Sequence, residues 1–183
     1  METIWAKTFN FVNNHTVWTN IYEQKTIKIS VPKLAEFNFK LLHNIVPCGK
    51  ILHKWNSKVS EKCNHCNEIE NIEHMILLCK NVKYVWECVT NALKVNIKWK
   101  TIVCGFVSSE INKNVELSNI VISIVAYSIF KFSNREKWNE TRNDFSIEQF
   151  VVRNVLFFKL LFKLKNNKIL EDRRIEQFIE MLL

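Results

Sequence analysis

Two glycines, two prolines and two aspartates, Asp144 and Asp172, are all that a chain of 183 residues contains of these types. So few helix breakers predict long helices joined by short polar loops, with no flexible linker. Two isolated aspartates cannot build the carboxylate cluster that holds a pair of Mg²⁺ ions in polymerases and nucleases. A Gly-rich phosphate loop and a nucleophile elbow are missing for want of glycine. A zinc deaminase would need Pro before a Cys-x-x-Cys pair, and Lys62 stands there. The expectation is a protein that is not an enzyme.

The start, Met1-Glu2-Thr3-Ile4-Trp5, also lacks the basic region and apolar run of a secretory signal. The apolar run from Leu117 to Phe130 is short for a membrane span and is interrupted by Ser118, Asn119, Ser123 and Ser128, so it reads as a buried helix. No membrane partner is expected, and the chain is expected inside the cell, in nucleus or cytoplasm.

What the chain does have is 48% hydrophobic residues and a formal charge of +8. The first is enough to bury a core, and the second favours polyanionic partners. The expected fold is mainly α, a compact single helical domain over 1–183, with a zinc-binding core at 31–104 and a C-terminal helical extension at 105–183. Aromatic residues Trp5, Phe9 and Phe11 could form a stripe near the start. Residues 16–23, with Trp18 and Ile21, should pack on the core, and Lys25 to Ser30 alternates like a short extended segment. A helix is expected over 31–44, with Ser30 as its cap, Pro32 in its first turn, Leu34, Phe37, Leu41 and Leu42 inward, and Pro47 as its stop. A second should run from Cys48 to Trp55 with Ile51, Leu52 and Trp55 inward.

Further helices are expected over 81–95, with Trp86 covering the metal motif described next, and over 115–132 as a central helix. Two more should run from Ser146 to about Lys165, on a Phe150, Phe157, Leu160, Leu161, Leu164 face, and over 170–183. Residues 108–114 and 133–144 are expected to be a loop and a loop or helix end.

The chemistry sits in Cys63-Asn64-His65-Cys66 and in His74 to Cys79, a C-x2-C-x7-H-x4-C spacing. Three sulfurs and an imidazole make a tetrahedral zinc ligand set, and with Cys63, Cys66, His74 and Cys79 all protein-supplied, no position stays open for catalysis. One structural Zn²⁺ is expected. His65, between two ligand cysteines, should point away from the metal. On an ideal α-helix His74 and Cys79 lie about 140° apart, so the helix should tighten or end near Leu78. The remaining cysteines, Cys48, Cys88 and Cys104, are an odd number, as suits a reducing compartment. Asn71 should cap the His74 helix, and Glu68, Glu70 and Glu73 should favour its N-terminus electrostatically.

Lys50, Lys54, Lys58 and Lys62 recur every fourth residue and run into the metal loop. On a helix they would climb one side at about 6 Å per step and contact nucleic-acid phosphates; the alternative is a solvated face, with Asn56-Ser57 breaking the helix.

These residues carry a resemblance. Pro32-Lys33, Phe37-Asn38-Phe39-Lys40-Leu41-Leu42-His43, Val46-Pro47, the two cysteine pairs, Glu73-His74, Leu78-Cys79 and Val85-Trp86 are similar to the zinc-binding segment (zf-RVT type) that follows the polymerase in LINE-type (non-LTR) retrotransposon reverse transcriptases. Ile129-Phe130 to Asn134-Arg135 extends the similarity, which covers about 15–138. Phe39, Phe130 and Lys80 depart from it, where family members often carry Trp, Trp and Pro. The resemblance implies a non-catalytic module that engages RNA or DNA, here as a polymerase-less fragment or stand-alone derivative. Two other readings stay open. One is a structural or protein-interaction module whose C-terminal helices dock through Phe157, Phe158, Phe162 and Leu183; the other is a decayed element.

Overall fold

The computed structural model describes residues 2–9, 15–27, 29–106, 113–138 and 145–183. Among these the secondary structure is helical, with one isolated antiparallel bridge, Lys62 to Ile69, and no strand. The helices are α1 (Glu2–Phe9), α2 (His15–Tyr22), α3 (Pro32–Leu42), α4 (Gly49–Trp55), α5 (Lys83–Leu93), α6 (Trp99–Cys104), α7 (Lys113–Trp138), α8 (Ile147–Leu164) and α9 (Arg173–Leu182). Phe11, the loop expected at 108–114 (through residue 112) and residues 139–144 lie outside the described residues.

The centre is α7. Its apolar residues Leu117, Ile120, Val121, Ile122, Ile124, Val125 and Ile129 are buried on several sides, because α3, α6 and α8 all pack on it. It is longer than expected, running to Trp138, so Asn134 and Arg135 are helical. α9 packs along α5 through Ile175, Phe178 and Leu182, and Tyr84 donates a hydrogen bond to the Met181 carbonyl at 2.9 Å.

Local signals fix several ends. Ser146 and Gln149 form a reciprocal capping box at the start of α8. α3 begins with Pro32 as expected, but Val31 holds the cap position and no side chain caps it, so the Ser30 cap is not found. It also ends before Pro47. Asn44 takes φ 55° and the amides of Asn44 and Ile45 bond the carbonyls of Leu41 and Lys40, a Schellman closure that stops the helix.

Three further expectations fail here. The segment read as extended is a π-helical turn over Glu23–Ile27, and Lys25 within it is fully buried, donating to Ser123 Oγ at 3.0 Å. Alternation over six residues was mimicked by a widened turn between α2 and α3. Trp55 is 71% exposed rather than inward, because α4 is only two turns long and no described element lies over its last residue. In α8 the buried face is Ile147, Phe150, Val151, Val155, Phe158 and Phe162, which α7 and α9 cover. That leaves Phe157, Leu160 and Leu164 exposed at 54%, 62% and 80%.

Candidate metal centre

A turn holds the first cysteine pair. Cys63 N–H donates to the Glu68 carbonyl at 2.8 Å, Asn67 N–H to the Cys63 carbonyl at 3.0 Å, and Asn67 closes the turn at φ 63°. Asn is among the few side chains that adopt this left-handed conformation readily. The His65 amide points at Cys63 Sγ at 3.5 Å, the kind of N–H···S contact that would stabilise a metal-bound thiolate.

The second pair sits on a widened helix. Asn71 caps it as expected, its Oδ1 accepting from the His74 amide at 2.7 Å. From His74 to Leu78 the turn is then π-helical, closed by the Cys79 amide bonding the His74 carbonyl at 2.9 Å. The helix ends at Leu78, one of the two outcomes expected, but its last turn loosens rather than tightens. At about 4.4 residues per turn, a five-residue step brings His74 and Cys79 to roughly 50° apart instead of 140°. The π turn is thus what puts both ligands on one side. Ile72, Met75 and Ile76 pack inward, while Leu78 is exposed.

Together these elements bring one ligand atom each from Cys63, Cys66, His74 and Cys79 within 4.8 Å of one another. Cys63 and Cys79 sulfurs are 3.6 Å apart, and Cys66 Sγ lies 3.1 Å from His74 Nε2. Around a tetrahedral zinc these separations would be about 3.8 and 3.6 Å, so the four residues fit such an ion with a small expansion. All six cysteines are free thiols. Burial pushes the Cys63 thiol up and the Cys79 thiol up to about 12, so a metal entering here displaces protons from neutral thiols.

The surroundings were only partly foreseen. Trp86 packs on the backbone of the π turn, donating to the Ile76 carbonyl at 2.6 Å, while Met75, Val82, Ile129, Phe132 and Ile147 line the space beside Cys63 and Cys79. His65 does face away: its Nε2 lies 2.8 Å from Glu136 Oε2 on α7, and that carboxylate raises the His65 pKa. Glu70 is not a solvated helix-end charge. It is buried, its Oε1 accepting from the Gly49 amide at 2.8 Å and from Lys137 Nζ on α7. Gly49 is needed there, because a Cβ would come within 2.8 Å of Lys137 Nζ and 3.1 Å of the Ser60 and Glu61 carbonyls. No sequence signal links Glu70 to Lys137 across 67 residues.

Of the lysine row, Lys50 and Lys54 share one face of α4. Lys58 follows in an Asx turn at Asn56, and Lys62 stands at the bridge to Ile69. All four are exposed and make no ion pair among the described residues.

No curated protein and no solved structure matches this chain. Residues 1–86, which hold all four clustered side chains and the lysine row, match the model of the zf-RVT family, zinc-binding in reverse transcriptase, and the family resemblance is shown over that stretch.

Proposed function

We propose that this chain is a non-catalytic, zinc-stapled module of the kind found in LINE-type (non-LTR) retrotransposon reverse transcriptases, and that it works inside the cell by binding RNA or DNA. The observation that carries the reading is that Lys50, Lys54, Lys58 and Lys62 are all exposed and make no ion pair among the described residues, in the same family-matched stretch that holds the Cys3His site. The ion is Zn²⁺, because three thiolates and one imidazole in a closed tetrahedral set suit it and leave no position for substrate. The metal then holds the loop that presents Lys58 and Lys62. Trp55, exposed between Lys54 and Lys58, adds an indole face on which an unpaired base stacks, and so favours single strands over duplex.

The test measures zinc by mass spectrometry of the native protein and titrates its binding to a generic RNA, a single-stranded DNA and a duplex across a salt series. One zinc per chain is expected, with affinity that falls steeply as salt rises. Alanine at all four lysines should flatten that salt slope, and Trp55→Ala should weaken single-stranded binding by about tenfold without moving the slope. Unchanged affinity and salt slope in the quadruple variant would refute the reading.

A further inference from the structure

We infer that the exposed face of α8, together with the groove between α8, α7 and the start of α3, is a docking site for an acidic amphipathic helix of a protein partner. The groove encloses about 580 Å³ and is lined by Val31, Pro32, Tyr127, Phe157, Phe158 and Leu161. Lys33, Lys131 and Lys165 rim it, and no carboxylate lines it. Beside it Phe157, Leu160 and Leu164 stand at i, i+3 and i+7, one stripe along α8 that no described element covers. A contiguous exposed apolar stripe of this kind marks an interaction surface more often than an inert one.

The chemistry selects the occupant. A groove with an apolar floor and a cationic rim fits a helix that presents apolar residues at i, i+3 or i+4, and i+7, with carboxylates on its flanks. A second copy of this chain would bring its own Lys33, Lys131 and Lys165 against the same three, in a molecule that already carries +8. A nucleic acid would meet leucines where it needs aromatic planes, since Phe157 is the single exposed ring on the stripe. Arg153 and Lys163, both exposed on α8, extend the positive flank.

The probe is a fluorescently labelled synthetic helix with leucine at the helical apolar positions and glutamate on both flanks. Its sister carries lysine in place of glutamate. Each is titrated into the zinc-loaded full chain. The glutamate peptide should bind, the lysine peptide should not, and Leu160→Glu or the Lys33→Gln/Lys131→Gln pair should each weaken binding by about tenfold. Leu160, Lys33 and Lys131 are exposed, so these variants keep the fold, which unchanged helicity and zinc content verify. Equal binding of both peptides, or none, would overturn the inference. So would a wild-type dimer that Leu160→Glu dissociates, which would make a second copy the occupant, or capture by anionic lipid vesicles in the absence of peptide binding.

Discussion

Lys25 lies at the bottom of the core, fully buried between α2 and α7, with Ser123 Oγ as its hydrogen-bond acceptor. Burial lowers its pKa from 10.5 to about 8. The charged form is therefore disfavoured in the folded state, and the sign of the pH dependence follows. Below pH 8 both folded and unfolded chains carry the proton and the penalty is constant. Between 8 and 10.5 the unfolded chain binds more protons, so stability rises with pH; above 10.5 the penalty is gone. The drop from 10.5 to about 8 corresponds to about 3 kcal/mol, most of which should be relieved between pH 7 and pH 10. Lys25→Met isolates the effect, because the variant keeps the volume and leaves no orphan. Ser123 Oγ still accepts from Asn38 Nδ2 at 3.1 Å and donates to the Asn119 carbonyl at 2.7 Å. Cys104, the nearby thiol whose own pKa burial raises to about 12, stays neutral through the window. Urea unfolding of both proteins at pH 7 and pH 10 should give stabilities that converge by roughly 2 to 3 kcal/mol, the variant being favoured most at pH 7. Parallel curves would show that Lys25 reaches solvent and would refute the burial argument.

Lys137→Met leaves the Glu70 carboxylate buried without its cation and should cost about 3 kcal/mol by thermal or urea unfolding. The Glu70→Gln/Lys137→Met double variant should recover part of that, because the surviving amide can still accept from Gly49. Deleting Leu78, an exposed residue of the π turn, should return His74 and Cys79 to an i, i+4 spacing about 40° apart on an ordinary α-helix and keep metal binding. Inserting one alanine at the same place should abolish it, with cobalt absorption as the readout, and equal cobalt binding by both variants would show that the π turn does not set the ligand geometry.

The ligand cluster was legible in the sequence because three cysteines and a histidine at finger-like spacing say the same thing whatever surrounds them. α3, α5 and α9 were legible because each has one clean apolar stripe. The roughly 140° misfit of an i, i+5 ligand pair on an α-helix marks a departure near Leu78, but the spacing alone does not choose between a tighter turn, a helix end and the wider π repeat. In α8 apolar residues occupy more than one side, so periodicity could not choose between a Phe157–Leu160–Leu164 face and a Phe150–Phe158–Phe162 face. The positions of α7 and α9 made that choice. Trp55 went wrong for another reason, since apolar character places a residue inward only where a neighbouring element exists to cover it.

The family match stops at residue 86, yet part of what holds the metal loop in place lies beyond it. Glu136 pairs with His65, Lys137 with Glu70, and Ile129, Phe132 and Ile147 line the space next to Cys63 and Cys79. Each contact reaches the loop at a point between the ligands or beside them, so the end of α7 sets the orientation of the turn that carries Cys63 and Cys66. If α7 left, Glu70 would keep a desolvated carboxylate beside Gly49, and the sulfurs would lose their apolar cover. A metal ligand set costs conformational entropy to assemble, and contacts that pre-position it raise affinity without touching the ion. In this chain some of those contacts come from beyond the matched stretch, from the end of α7, the helix on which α8 also packs.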